Sequence, residues 1–127
     1  MEIYFLTLDD VLEIHNDQIK RYGGKTGIRD QGLLLSAIAQ PFSTFDGQYL
    51  HKTISDKAGT YLFHICQNHP FIDGNKRTAL VSALMFLAMN NCPIDYEETA
   101  LEQLVRAVAE GKTKTDTIAD FFSKGLG

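Results

Sequence analysis

The stretch HPFIDGNKRTALVSALMFLAMNN, His69 to Asn91, decides how the rest of the chain is read. Pro70 pushes His69 out of the right-handed helical region, so a helix arriving from the N-terminal side has to end near Asn68. A new helix runs from around Gly74 to about Asn90. Leu80, Val81, Leu84, Met85, Leu87 and Ala88 surround much of its axis, which predicts a helix buried at the centre of the molecule. Its first turn carries Lys76 and Arg77, two cations at the positive end of a helix dipole. That placement is unfavourable unless an anion sits between them.

Outward from this stretch, helical periodicity dominates. Thr7 reads as an N-cap with Asp9 and Asp10 in the first turn. Leu8, Val11, Leu12, His15 and Ile19 then share one side, and the glycines of RYGG close the helix. A second helix spans about Asp30 to Gln40 and is stopped by Pro41. A third begins at Thr53, with Ile54, Ala58, Tyr61, Leu62 and Ile65 inward. Two further amphipathic helices fit Glu97 to Glu110 and Thr115 to Ser123. Between the second and third helices, Asp46-Gly47 flanked by Phe45 and Tyr49 predicts a tight turn in a short hairpin-like flap. The expected fold class is therefore all-α: a compact bundle of about six helices around a buried central helix.

Composition narrows the class of protein. At 127 residues, with 44% hydrophobic and 22% charged, the chain reads as a single globular domain over residues 1–127. A net charge of −4 argues against a nucleic-acid surface. Cys66 and Cys92 are too few for a disulfide framework and read as two buried, reduced thiols. The opening MEIYFLTLDD lacks a basic segment followed by an apolar run, and the run from Ala79 to Ala88 is too short to span a bilayer. These features predict a soluble cytoplasmic protein with no membrane association.

The loop before the fourth helix has the composition of a phosphate cradle. The first N–H groups of a helix have no intrahelical partner and favour an anion. Gly74 permits close approach of a ligand to the backbone, Asn75 brings side-chain donors, and Lys76 and Arg77 bring charge. Asp73 reads either as an N-cap or as a carboxylate for Mg²⁺, and both readings stay open at this level. His69 is the natural general base, since histidine titrates near neutral pH. Phe71 reads as an anchor beneath the loop. His51 and His64 have no phosphate signal beside them and read as structural. A zinc set of His64, Cys66 and His69 fails because the first two fall on different helical faces. A P-loop also fails, because its first glycine and preceding strand are missing.

With these residues in place, HPFIDGNKR resembles the signature of the Fic/Doc family, H-P-F-x-[D/E]-G-N-G-R-x-x-R, and the Doc branch in particular. His69, Pro70, Phe71, Asp73, Gly74, Asn75 and Arg77 match it. RYGGKTGIRDQGLLLSAIAQP, Arg21 to Pro41, is similar to Doc-type sequence as well. Lys76 replaces the glycine after the asparagine, and Leu80 stands where Fic AMP-transferases carry a second arginine. For the Doc branch the resemblance implies Mg²⁺ and ATP bound in the reverse sense, with the γ-phosphate passed to a threonine of elongation factor Tu, which halts translation.

On that reading His69 deprotonates the hydroxyl and Asp73 positions Mg²⁺. Gly74 and Asn75 bind phosphate oxygens, while Lys76 and Arg77 neutralise charge. The flap of Phe45, Asp46, Gly47, Gln48 and Tyr49 would hold the target by adding a strand. The family's self-inhibitory string [S/T]-x-x-x-E-[G/N] is missing: at Glu110-Gly111 the first position is Arg106. The resemblance therefore implies restraint by a Phd-like antitoxin. Two other readings stand beside it: a Fic-type AMP or NMP transferase, and a non-catalytic binding module with the same fold.

Overall fold

Helix starts in the first half of this chain are set by short polar side chains that occupy free N–H groups. Thr7 and Asp10 bond reciprocally at the head of α1 (Leu8–Tyr22), at 3.1 and 2.8 Å. Asp30 accepts from the Leu33 N–H at 2.9 Å to begin α2 (Gln31–Ala39). Thr53 and Asp56 form a second reciprocal box at α3 (Ile54–Asn68). Each cap contributes on the order of 1 kcal/mol to its helix. α4 (Asn75–Met89), α5 (Glu98–Ala109) and α6 (Thr115–Lys124) begin without one. Of these three, α5 and α6 place an acid in the first turn, whereas α4 places none there. A computed structural model describes residues 2–125, and the architecture is all-α: six helices with one small hairpin.

The helix with most of its surface covered is α3. It packs against α2, α4, α5 and α6, and an unbroken run from Lys57 to Leu62 is buried. α4 was expected at the centre because apolar residues surround its axis, and this assignment is corrected. Its buried face is instead built of Asn75, Thr78, Ala79, Ser82, Ala83 and Phe86 with Leu87. Leu80, Val81 and Leu84 are only half-buried, and Met85 is 43% exposed. Small residues win the inward position because they let α4 approach α3 closely, and larger apolar residues then flank the contact. Tyr61 of α3 is fully buried and accepts the Leu6 N–H through its hydroxyl at 2.9 Å, which ties the N-terminal segment across the core.

A turn of 3-10 helix, Gln40–Phe42, leads from α2 into the hairpin. β1 (Thr44–Phe45) and β2 (Gln48–Tyr49) pair antiparallel, with Thr44 opposite Tyr49 and Phe45 opposite Gln48. Asp46 (φ +53°) and Gly47 (φ +76°) form the connection, the double positive-φ turn that the Asp-Gly pair predicts. Cys66 is buried and Cys92 only partly so, which corrects the expectation of two buried thiols. No helix among the described residues is long and apolar enough to cross a membrane.

Candidate active site

α3 is closed by its C-cap residue His69, whose backbone is left-handed (φ +52°, ψ +51°). A non-glycine residue here is strained unless its surroundings hold it. Arg29 does so from the loop between α1 and α2. Its Nε donates to the His69 carbonyl at 2.6 Å and its Nη2 to the Asn68 carbonyl at 2.8 Å. A guanidinium on the last carbonyls of a helix is favoured by the dipole as well. The same loop grips the next residues through its backbone. The Arg29 and Asp30 N–H groups share the Pro70 carbonyl at 2.7 and 3.0 Å, and the Ile72 N–H reaches Gly27 at 3.0 Å. The imidazole of His69 is left in solvent.

Beneath the loop lies Phe71, fully buried as expected. The side chain of Asn75 spans both of its backbone groups, accepting the Phe71 N–H and donating to the Phe71 carbonyl, each at 2.9 Å. Asn75 is 4% exposed. The amide thus shapes the loop, while Asn75 also lines the cleft and its backbone N–H lies at the start of α4. His15 of α1 lies parallel to the Phe71 ring at 3.8 Å, with 6° between planes. Its Nε2 is 2.8 Å from the Asp73 carbonyl. A carbonyl only accepts, so this nitrogen carries the proton and donates.

Above these braces the chain encloses an open cleft of about 280 Å³, lined by His69, Ile72, Asp73, Gly74, Asn75, Lys76 and Arg77. Every motif residue assigned from sequence to catalysis or phosphate binding thus faces one space. Gly74 (φ +78°) is the cap residue of α4, so the reading of Asp73 as N-cap is corrected. The Asp73 carboxylate instead accepts from the Lys25 N–H at 3.1 Å and from the Gly74 N–H at 2.9 Å. These two bonds, with Arg77 and Lys25 nearby, hold its carboxyl below the usual carboxylate range. A Cβ on Gly24 would come within 2.8 Å of that carboxylate, so the approach requires glycine there.

The cations differ. Lys76 is exposed at the mouth. Arg77 donates to the Gly23 carbonyl at 3.0 Å and lies over the Tyr22 ring at 5.2 Å, while its Nε is buried with no partner among the described residues. Glu110 pairs with Lys112 at 2.8 Å. The helix start therefore presents the Asn75, Lys76 and Arg77 N–H groups, with no side-chain cap, to a cleft holding two cations. This arrangement suits a polyanion.

Sequence reading missed His15, Lys25 and Arg29. His15 carries a signal, as the one ionisable group on an apolar helical side, but that side reads as core. For Arg29 and Lys25 nothing local marks a partner some 40 or more residues away.

The flap residues stand apart from this cleft. Phe45 is 75% exposed, and Tyr49 packs near Phe5 (centroids 5.9 Å) and under the Lys57 ammonium (4.2 Å). Burial lowers the pKa of both His51 and His64, which favours their neutral forms. Among the described residues no group of three or more His, Cys, Asp or Glu side chains gathers around a point.

Comparison with known proteins agrees with this geometry. The family model described as Fic/DOC family matches residues 5–87, from the start of the N-terminal segment through most of α4. A protein named Toxin Doc from Mycolicibacterium smegmatis is 37% identical over 100 residues, 77% of either chain. One named Protein kinase doc from Escherichia phage P1 is 31% identical over 122 residues, covering 94% of this chain and 93% of the relative. The match takes in both the braced motif loop and the α1–α2 segment that braces it, and the chain belongs to the Fic/Doc family.

Proposed function

We propose that this protein is a Doc-like toxin that acts as a protein kinase, passing the γ-phosphate of Mg-ATP to a threonine hydroxyl of elongation factor Tu in the cytoplasm. The observation that carries the reading is the single cleft in which an uncapped helix start, two cations and a histidine meet. The kinase name of one relative and the toxin name of the other support it. So does the pair Lys76 and Leu80 in place of the glycine and second arginine of AMP-transferases.

The cleft suits the cofactor. A triphosphate supplies the negative charge that Lys76, Arg77 and three N–H groups lack, and Mg²⁺ bound by phosphates needs only one or two protein carboxylates, which Asp73 provides. Bound Mg-ATP supplies the transferable phosphoryl group and a metal that offsets its charge. The chain does the rest. His69, which lines the cleft on a left-handed backbone that Arg29 holds, accepts the proton of the target hydroxyl. The Gly74–Arg77 backbone and the Lys76 ammonium fix the phosphates and answer charge that grows on them. The exposed flap pairs with the target segment as an added strand. A Phd-like antitoxin supplies restraint in trans, since the self-inhibitory string is missing, with Arg106 at its first position before Glu110-Gly111.

The test is the intact mass of elongation factor Tu after incubation with the protein and Mg-ATP, with His69→Ala as the blank. A gain of about 80 Da is expected for one phosphoryl group. A gain of about 329 Da would replace the kinase with AMP transfer. No gain on this target, with ATP bound, would leave the fold and direct the search to another protein.

A further inference from the structure

Lys57 is buried completely near the N-terminal end of the most covered helix, and among the described residues no carboxylate bonds to it. Leaving an ammonium out of water is strongly unfavourable unless each of its donors is satisfied. Here all three are accounted for. Nζ donates to the His51 carbonyl at 2.6 Å and to the Lys52 carbonyl at 3.1 Å, and the Tyr49 ring lies 4.2 Å away. Every one of these groups belongs to the end of β2 or to the connector that follows it. Burial lowers the pKa of Lys57, with Asp56 opposing.

The flap has little else to hold it. Its strands are two residues each, pair only with one another, and are exposed throughout. The Leu50 N–H closes the hairpin on Ser43 at 3.0 Å, and Phe5 touches the Tyr49 and Phe42 rings. A methionine of similar length would fill the Lys57 site without any desolvation penalty, so core packing alone gives no reason for an ammonium here. The reason lies in what the ammonium grips.

We infer that Lys57 is a positioning residue that latches the flap to α3 and so fixes the strand edge presented to the protein substrate. This rests on the proposed role of the flap. It extends that role by naming the residue that sets its geometry, at the opposite end of α3 from the motif loop. The latch acts on the protein substrate and leaves the nucleotide cleft alone, because the Lys57 contacts fall on Tyr49, His51 and Lys52 while the cleft is lined by residues 69–77.

The experiment compares wild type with Lys57→Met by three readouts: amide hydrogen exchange, ATP affinity, and steady-state phosphorylation of elongation factor Tu. Exchange at the Leu50 amide is expected to quicken about tenfold or more while exchange across residues 69–77 is unchanged. The KM for the protein substrate is expected to rise about tenfold with kcat within about twofold and ATP affinity unaltered. The thermal midpoint is expected to hold or rise.

Lys57→Arg keeps a cation and should restore part of the KM if the pocket admits it. Unchanged exchange at Leu50 overturns the latch, as does loosening of the flap and motif loop together. A faster flap with an unmoved KM overturns the positioning role. Wild type that modifies no protein would defeat the proposed function instead, and the exchange data would still decide whether Lys57 holds the flap.

Discussion

Two loops flank α3, one at each end, and they are built on opposite plans. The motif loop at the C-terminal end is gripped from three directions: Arg29 on the His69 and Asn68 carbonyls, Asn75 on both backbone groups of Phe71, and His15 on the Asp73 carbonyl. The flap at the N-terminal end is exposed and hangs on one buried lysine and a few ring contacts. Under the proposed function, the difference follows from the partner each would meet. Phosphoryl transfer depends on groups preorganised to fractions of an ångström, so its loop is over-determined. A protein segment that adds a strand brings its own hydrogen bonds, so its docking edge needs a fixed position but not a rigid interior.

Substitutions at the two ends should separate cleanly. The largest expected effect is on chemistry at the braced end. His69→Ala should lower phosphoryl transfer by about 10²–10⁴-fold, as loss of a general base does, while its exposed ring leaves ATP affinity and the thermal midpoint nearly unmoved. Retained transfer would assign the base elsewhere. Asn75→Ala strands the buried N–H and carbonyl of Phe71, and chemical denaturation should show a loss of about 2–4 kcal/mol. A loss below 1 kcal/mol would mean that water or a loop shift replaces the amide.

Arg29→Ala removes two bonds from the end of α3. We expect about 1–2 kcal/mol of destabilisation, with a fall in kcat larger than the stability change alone explains, because His69 loses the contact that holds its left-handed backbone. Equal losses for Arg29→Ala and Arg29→Lys would show that the fork geometry matters, whereas full rescue by lysine would reduce its role to charge.

At the loose end the contrast should invert. Phe45→Ala, at a side chain 75% exposed, should alter stability by no more than about 0.5 kcal/mol yet raise the KM for the protein substrate. If its cost in stability rivals that of Asn75→Ala, the two loops are not built differently.

The smallest effect is one of pH. The Asp73 pKa is depressed in the folded protein, so its bonds to the Lys25 and Gly74 amides add stability that is complete above the unfolded carboxylate pKa. That contribution is lost as pH falls through the lower, folded value. Asp73→Asn should therefore flatten the acid limb of the stability curve.

Local chemistry left its mark in the sequence where short-range rules apply. Thr7 is readable as a cap, and Asp30 and Thr53 as helix starts, because a cap is completed within three residues. The Asp46-Gly47 turn is readable because two adjacent positive-φ residues admit few other pairs. Pro70 marks the end of α3 because its ring acts on the residue before it. The cleft itself was legible as well, since a histidine, a glycine, two cations and a helix start lie within nine consecutive residues, His69 to Arg77.

What tertiary structure decided is how each of those groups is spent. Asn75 is a donor by type, and only the fold, which sets it beside both backbone groups of Phe71, makes it a brace for the loop. Apolar periodicity around α4 pointed to the centre, yet much of its buried side went to small residues, Ala79, Ser82 and Ala83, because helices approach where side chains are small. Arg29 and His15 act on residues 40 and 58 positions away, and no periodicity encodes a partner at that range. The sequence by itself determined the helices, the turn and the chemistry of the cleft, which are local. Which side chains remain free to act was settled by packing, because a polar group withdrawn from water must bond to whatever the fold brings beside it.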